Sequence, residues 1–475
     1  MKTMTFDTLM HNLVFGVSLL LAMGSVVTVR AATPSLADEH AVSSRHAKWI
    51  GVKQFGTSGT ERGYTSALDH HGNLYVTGFT TGDLDGEGPE VSAGSFDLFV
   101  MKITPDGETA WTRQIGSPQD DRAHYVAVDR LGYVYVTGHS SGDLDGSGAQ
   151  THKGIDDAFL LKLDEYGQVQ WLRQFGSPEE DMGFGVTVDP SGNVYVTGYT
   201  FLGDMDGEGP AVNQGNEDVF LAAFDFAGNQ QWIQQIGSSE SDVAYAVSVD
   251  IRGGIYVGGL SFGDLDGPGT QVHLGDADIV ALKFDRQGDL RWIRQMGTPG
   301  TDFGYALKVN RRHAYISGFV SGDIDGGGPD LHAGQTDLAV LKVRYDAELV
   351  WTRQIGTEGN DIGHGIAVDK YGDVYATGTV SGDLDGSGPQ TYRGQGDVVV
   401  VKFNRHGITR WTRQRGSMQT DLGLDVTVDG KRRVYVTGQT DGDFDGAGPQ
   451  PYAGDSDLFV LKLKPPKARI KQIAD

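Results

Sequence analysis

The chain repeats one unit of about sixty residues seven times, and this period limits its possible folds more than any other feature. A Gly-Asp-x-Asp-Gly pattern recurs at intervals of 59 to 61 residues, and a second pattern, Gln-x-Gly, keeps the same period. Self-similarity at this length is typical of one supersecondary unit per repeat, stacked as a propeller or an array. The seven aspartate pairs are Asp83 and Asp85, Asp143 and Asp145, Asp204 and Asp206, Asp264 and Asp266, Asp323 and Asp325, Asp383 and Asp385, and Asp443 and Asp445.

Each repeat reads as four short β-strands, as the second repeat shows. Residues 126–129, 133–138, 157–163 and 169–175 are rich in apolar, β-branched and aromatic residues, and no stretch of helical period lies between them. Nearly continuous apolar runs are expected for a sheet that is buried on both faces between neighbouring units. The sequence therefore predicts an all-β fold, a seven-bladed β-propeller of four-stranded antiparallel blades.

The two ends of the repeat region predict how the ring closes. Residues 49–55 resemble a fourth strand with no blade of its own, and the last unit, residues 424–463, contains three strands and lacks the fourth. We expect the N-terminal strand to complete the last blade, because closure removes the exposed strand edges of an open array. The predicted domains are a propeller at 49–463, a linker at 32–48 before it and a basic tail at 464–475 after it.

Three patterns in these repeats resemble the SBBP-type bacterial β-propeller repeat. They are Val-Asp-x-x-Gly-x-Val-Tyr-Val-Thr-Gly at residues 188–198, Asp-x-Phe-x-x-Lys at 157–162 and Trp-x-Arg-Gln-x-Gly at 351–356. The resemblance covers about residues 49–463. It implies a propeller in an exported bacterial protein, and it implies no particular activity, because the family is defined by its repeat.

The N-terminus and the composition indicate an exported protein. Residues 13–29 are apolar, and Val29-Arg30-Ala31 suits signal peptidase, so we predict a secretory signal at residues 1–31. The alternative is an uncleaved membrane anchor. We expect a secreted, periplasmic or cell-surface protein without a membrane span after cleavage. The lack of cysteine excludes disulfides and thiolate metal sites, and the net charge of −24 argues against nucleic acid as a partner.

The seven Asp-x-Asp-Gly loops are candidate calcium sites. Two carboxylates at this spacing before a glycine resemble half of a calcium loop, and backbone carbonyls of a glycine-rich loop can supply further oxygen ligands. The distal glutamate of an EF-hand is absent. We predict Ca²⁺ as the cofactor, bound by the fourteen aspartates named above. The alternative is an Asx-turn, in which the aspartate accepts hydrogen bonds from its own loop.

Further recurring residues are interpreted as structural or as surface charge. A lysine on the third strand and an arginine on the fourth, such as Lys102 and Arg113, are expected to share one carboxylate in a structural network. Basic residues such as Arg312, Lys370 and Lys431 collect in the turns of blades five to seven. This basic sector predicts contact with an anionic surface. Ordinary solvated turn residues are the alternative.

The repetition itself bears on function, because an enzyme needs unlike groups around one substrate. No catalytic motif is present, and the histidines, for example His124, His139 and His273, are expected at different repeat positions, where they form no recurring cluster. We predict no catalytic residues and a non-catalytic interaction module that binds a surface glycan or protein. The alternatives are a lyase or hydrolase that acts on polysaccharide at the central channel, and a purely structural role.

Overall fold

The computed structural model describes residues 48–84, 94–144, 152–205, 215–265, 273–324, 332–384, 394–444 and 454–464. Every described strand belongs to one compact unit, Ser44–Asp475. The predicted signal, the predicted linker up to residue 47 and the predicted tail beyond Lys464 lie outside the described residues, and Lys48 at the end of the linker begins the first strand. Within the described part of the chain, no helix has the length and apolar character needed to cross a membrane.

The described residues form 28 β-strands in seven four-stranded antiparallel sheets. Blades 1 to 6 each contain four consecutive strands, from β2–β5 in blade 1 to β22–β25 in blade 6. The strands are β1 (Lys48–Phe55), β2 (Glu61–Leu68), β3 (Leu74–Thr80), β4 (Asp97–Ile103), β5 (Thr109–Ile115), β6 (Asp121–Val128), β7 (Val134–Ser140), β8 (Asp157–Leu163), β9 (Val169–Phe175), β10 (Glu180–Val188), β11 (Val194–Phe201), β12 (Glu217–Phe224), β13 (Gln230–Ile236), β14 (Asp242–Val249), β15 (Ile255–Ser261), β16 (Asp278–Phe284), β17 (Leu290–Met296), β18 (Phe303–Asn310), β19 (His313–Val320), β20 (Asp337–Arg344), β21 (Leu349–Ile355), β22 (Asp361–Val368), β23 (Val374–Val380), β24 (Asp397–Phe403), β25 (Thr409–Arg415), β26 (Asp421–Val428), β27 (Val434–Thr440) and β28 (Asp457–Lys464).

Blade 7 is completed by the N-terminal strand, so the ring closes as the sequence predicts. Its strand order is β1-β28-β27-β26, and β1 pairs with β28 in antiparallel register. Strand β2 of blade 1 in turn contacts all three C-terminal strands of blade 7. The predicted seven-bladed propeller of four-stranded blades, closed by the N-terminal strand, is confirmed.

We call the four strands of each blade A to D in order from the channel outward. Each A-strand contacts the A-strands of both neighbouring blades, so the seven A-strands surround a central channel. The B- and C-strands are buried on both faces, and the D-strand is partly exposed. Fully buried residues such as Val136 and Leu160 pack between blades, and each such side chain contributes about 1.5–3 kcal/mol relative to exposure. This two-sided burial explains the continuous apolar runs of the repeats.

Neighbouring blades are also joined through the turn between the C- and D-strands. In blade 1, Lys102 Nζ and Trp111 Nε1 donate to the carbonyl of Glu165 in blade 2 at 2.8 and 3.1 Å, and Arg113 Nε donates to the carbonyl of Gly167 at 3.0 Å. Blade 6 differs, because Lys402 Nζ lies 2.9 Å from Asp373 Oδ2. In blade 1, the prediction that the lysine and the arginine share a carboxylate is wrong. Their acceptors are backbone carbonyls of the next blade. A sequence pattern does not reveal which backbone carbonyls need a hydrogen-bond donor.

The glycine of each Gln-x-Gly pattern lies against a buried carboxylate. A Cβ on Gly116 would lie 2.2 Å from Oδ1 of Asp97, the first residue of the C-strand in the same blade. The other six glycines of this pattern meet a C-strand or A-strand aspartate at similarly short distances. The pattern therefore recurs because the buried carboxylate leaves no room for a side chain.

We expect Gly116→Ala to destabilise the propeller by about 1–3 kcal/mol, because the methyl group overpacks a buried site that cannot expand freely. Gly51→Ala is the matched control, since a Cβ on Gly51 has no atom within 4 Å. Urea denaturation of the two variants and the wild type measures the difference. Equal stability of the two variants would contradict this packing argument.

Candidate functional site on the loop face and in the central channel

The seven Asp-x-Asp-Gly loops begin at the same end of each blade, between the B- and C-strands. We call this side the loop face, and the opposite side, which carries the A–B and C–D turns, the turn face. The first aspartate of each pair is described, and it is exposed in blades 1, 4, 5, 6 and 7. The second aspartates, Asp85, Asp145, Asp206, Asp266, Asp325, Asp385 and Asp445, lie outside the described residues.

The residue between the two aspartates anchors each loop in the core. Leu144 in blade 2 and Phe444 in blade 7 are buried in the clusters between blades, and the equivalent residue of every other blade packs against such a cluster or lies within one. Because the apolar side chain points into the core, the aspartate before it points toward solvent. The aspartate spacing thus reflects an apolar anchor between the two carboxylates, a role that the sequence pattern alone does not reveal.

A glutamine of the D-strand binds the backbone of the same anchor residue in all seven blades. In blade 1, Oε1 of Gln114 accepts a hydrogen bond from the N–H of Leu84 at 3.1 Å, and Nε2 donates to Asp97 Oδ2 at 2.8 Å. In blade 7 the glutamine is Gln54 of β1, which bonds Phe444 N at 3.3 Å. The equivalent distances in blades 2 to 6 lie between 2.8 and 3.3 Å. The described base of each loop is therefore held by the same contacts.

Two of the recurring carboxylates of this face serve the interior of each blade. Asp121, which begins the A-strand of blade 2, accepts hydrogen bonds from the N–H of Ser117 at 2.5 Å and from its hydroxyl at 2.9 Å, and it bonds the Ser140 hydroxyl. The C-strand aspartates are equally buried, and in six blades the aspartate accepts a hydrogen bond from the D-strand glutamine. These buried side chains are structural, and the exposed first aspartates of the loops are the ones presented to solvent.

The fourteen predicted metal-binding aspartates are thus only half described. Among the described residues, no group of three or more His, Asp and Glu side chains is placed to hold a metal ion. The first aspartates are presented singly there, and their pair partners lie in the part of each loop that is not described. Calcium binding by these loops stays a prediction.

A ring of large side chains narrows the central channel. Each A-strand has a β-bulge at its centre. In every blade the bulged residue points into the central channel. From Tyr64 to His364, the aromatic side chains of neighbouring blades lie with their ring centroids 4.7 to 5.4 Å apart. The seven bulged residues are Tyr64, His124, Phe184, Tyr245, Tyr305, His364 and Leu424.

The expectation that the histidines fall at different repeat positions is wrong for part of the chain. His124 and His364 occupy the same bulge position in blades 2 and 6. His124 Nε2 also lies 3.0 Å from His139 Nδ1 on the adjacent B-strand. Counting from the Asp that begins each A-strand would have aligned His124 with His364, but only strand pairing brings His139 beside His124.

On the turn-face side of this ring, the channel contains unlike residues from different blades. Lys308 Nζ of blade 5 donates to the Tyr125 hydroxyl of blade 2 at 2.7 Å. Asp425 of blade 7 accepts hydrogen bonds from the N–H and hydroxyl of Ser66 in blade 1 at 2.9 and 3.1 Å. Burial raises the pKa of Asp425 to about 6, although Lys308 opposes this effect. These contacts tie four blades together across a cavity of about 290 Å³.

The predicted basic sector of the turn face is partly neutralised. Arg432 lies 3.1 Å from Asp369 of the neighbouring blade and stacks on Tyr371, with its guanidinium carbon 4.0 Å from the ring centroid. Arg344 pairs with Asp346 at 2.7 Å. These ion pairs reduce the charge that blades five to seven offer to an anionic surface. Contact with such a surface stays a prediction.

Comparison with known proteins agrees with this repeat architecture. The profile of the SBBP β-propeller repeat matches residues 110–145, 170–200, 231–266 and 350–385. Each match begins on a D-strand and continues through the A- and B-strands of the next blade. These four segments of the chain are therefore similar to the SBBP β-propeller repeat, and the described strands form a β-propeller.

Two relatives and two solved structures are similar to the chain. An uncharacterized WD repeat-containing protein of Acanthamoeba polyphaga mimivirus is 22% identical over 83% of this chain and 36% of its own length. The regulatory protein FlaEY of Caulobacter vibrioides is 30% identical over 40% of this chain and 21% of its own length. The chain thus spans about a third and a fifth of these relatives.

Among solved structures, the Neurospora crassa Pan2 WD40 domain is similar with a TM-score of 0.45 and 10% identity, over 89% of this chain and 97% of the domain. The WD40 propeller domain of Doa1 has a TM-score of 0.42 and 9% identity, over 86% of this chain and 97% of that domain.

The buried carboxylates predict an unusual pH dependence. Burial raises the pKa of Asp181 and Asp242 to about 6 and that of Asp421 to about 7, and the nearby C-strand carboxylate adds to each shift. The unfolded chain holds such a group near 3.9. Between these values the folded state binds a proton that the unfolded state does not, so lowering the pH stabilises the fold through these groups.

We expect the stability difference between the wild type and Asp421→Asn to change in favour of the wild type as the pH falls from 8 to 5. The variant cannot titrate at this position, and the largest slope is about 1.4 kcal/mol per pH unit. Urea denaturation at several pH values measures the difference. A difference that is constant over this range would show that Asp421 is ionised in the folded protein at pH 5.

Proposed function

We propose that this propeller is an exported, non-catalytic interaction module that presents seven similar calcium-binding loops on one face. Its ligand is a surface glycan or a protein, contacted by several loops at once. The observation that carries this proposal is the common loop base, in which the same D-strand glutamine bonds the same anchor residue in every blade.

The common base favours multivalent binding. Seven loops held by equivalent contacts place similar chemical groups around one rim, and linked weak contacts raise the overall affinity without any single strong one. The anchoring contacts come from the rigid blade and not from the loop itself, so the loops need no further ordering at their bases when a ligand binds.

The charge of the chain supports calcium as part of this surface. The net charge is −24, and the first aspartate of the pair is solvent-exposed in five of the seven loops. Repulsion among so many carboxylates opposes compaction unless cations relieve it. Calcium accepts six to eight oxygen ligands, a number that two carboxylates together with loop carbonyls and waters can provide.

We expect millimolar calcium to raise the unfolding temperature well above that measured in chelator. Each site that binds only the folded state adds about 2.7 kcal/mol at a hundredfold excess over its Kd. The Asp83→Asn/Asp85→Asn variant should bind one calcium fewer by calorimetric titration. Asp289→Asn, an exposed acid of the turn face with 70% of its side chain accessible, is the charge control and should bind the full number. No calcium response in the wild type would assign the loops to Asx-turns.

Binding by several loops predicts a steep dependence on loop number. In calcium, we expect attachment to surfaces coated with polygalacturonate to weaken progressively as one, two and four loops carry Asp→Asn pairs, since each loss removes one linked contact. Dextran-coated surfaces provide the neutral control. Surface plasmon resonance measures the affinity. A single loop pair whose removal abolishes binding, with no effect from the other loops, would indicate one unique site and contradict the multivalent mechanism.

A further inference from the structure

The loop-face side of the central channel breaks the sevenfold symmetry at one ring of positions. The residue two positions before the bulge of each A-strand lies nearer the loop face than the ring of bulged residues does. It is an arginine in blades 1 and 2, Arg62 and Arg122. In the other five blades this position holds apolar residues: Met182, Val243, Phe303, Ile362 and Leu422.

Both guanidinium groups are largely buried and lie against the same aromatic ring. Their central carbons lie 5.9 Å (Arg62) and 5.4 Å (Arg122) from the centroid of Phe79, and that of Arg122 lies 4.2 Å from the centroid of Phe96. Arg62 is 9% exposed and the side chain of Arg122 is 14% exposed. Stacking on aromatic faces orients a guanidinium but leaves its N–H groups, which lie at the edge of the plane, to find acceptors elsewhere.

One donor of Arg122 has no acceptor within the described protein, whereas Nε of Arg62 donates to Oε1 of Gln439. The Nε of Arg122 is buried and has no hydrogen-bond partner among the described residues. Its ion-pair contact is to Asp120, at 3.8 Å between Nη2 and Oδ2, and that carboxylate is 37% exposed. A buried, charged donor without an acceptor is costly, so such a group in a folded protein calls for an explanation.

The histidine pair beside these arginines adds no negative charge. His124 and His139 lie in contact below Arg122, and burial together with the nearby arginine lowers the pKa of His139 to about 3 and that of His124 well below its usual range. Both imidazoles are therefore neutral at physiological pH. The cluster combines two fixed positive charges with neutral rings, and its N–H donors suit a negatively charged acceptor.

We propose that Arg62 and Arg122 form an oxyanion-binding site at the loop-face mouth of the central channel. The planar guanidinium matches a carboxylate, sulfate or phosphate group, and the aromatic side chains around it exclude water. The ligand class is a small oxyanion or the carboxylate of an acidic sugar. This site is independent of the calcium loops, because none of its residues belongs to them.

The test measures anion binding to the purified protein in chelator, so that calcium plays no part. Isothermal titration and thermal unfolding are recorded with sodium sulfate, sodium glucuronate and glucose, with sodium chloride matching the ionic strength. We expect sulfate, glucuronate or both to bind and to raise the unfolding temperature, while glucose does not. Sulfate alone identifies an inorganic anion as the ligand, and glucuronate with higher affinity identifies an acidic sugar.

Variants locate the site. Arg122→Gln should weaken oxyanion binding at least about tenfold. Arg122→Lys keeps the charge but not the bidentate geometry, so its oxyanion affinity should lie between those of Arg122→Gln and the wild type. Arg173→Gln is the matched control, because Arg173 Nε already donates to the carbonyl of Gly228 at 2.9 Å. Met182→Leu is the control at the same position in blade 3. Both controls should bind as the wild type does.

Two results would overturn the proposal. One is the absence of any oxyanion binding by the wild type above the chloride control. The other is an equal response to oxyanions in the wild type, Arg122→Gln and Arg122→Lys, together with lower stability of both variants without ligand, which would make Arg122 a packing residue for Phe79 and Phe96. If Arg122→Gln does not fold, Arg62→Gln and Arg122→Lys give the same comparison.

Discussion

The pairing of β1 with β28 is the contact on which the rest of the propeller depends. Each blade buries both faces of its B- and C-strands, so no blade is stable without a neighbour on each side. The β1–β28 ladder completes the seventh blade and gives the first blade its partner. It also supplies Gln54, which anchors the loop of blade 7, so strand β1 contributes to the loop face as well as to closure.

Closure places a dense set of carboxylates inside the protein, and the repeat pattern shows how they are accommodated. A buried carboxylate is costly without hydrogen-bond donors, and each A-strand acid receives them from the Ser or Thr four residues before it in the chain. In six blades the C-strand acid receives a hydrogen bond from the D-strand glutamine. The glycine beside the glutamine provides the space. The same network then fixes the loop base, so fold stability and the geometry of the loop face share one set of contacts.

The molecule combines a symmetric surface with an asymmetric channel. The described loop bases are equivalent in seven blades, which suits repeated weak contacts. The channel, in contrast, contains single substitutions that meet only because the blades surround a common axis. Lys308 reaches Tyr125 from blade 5 to blade 2, and Arg62 and Arg122 share Phe79. A repeat protein can thus gain a unique site by changing one residue in each of two or three blades.

The sequence alone determined the number of blades, the four strands of each blade, the closure by the N-terminal strand and the end of the blade on which the Asp-x-Asp-Gly loops lie. Periodicity and alternating strand direction are local properties, and they are readable at each residue. The tertiary structure alone decided which side chains meet across blades. The β-bulge that turns Tyr64 and its equivalents toward the channel leaves no mark in the strand pattern. The contact of His124 with His139 arises from strand pairing within one blade. The bonds of Lys102 and Arg113 to two backbone carbonyls of the next blade, and the convergence of two arginines on Phe79, arise from packing between blades, which brings together residues far apart in the chain.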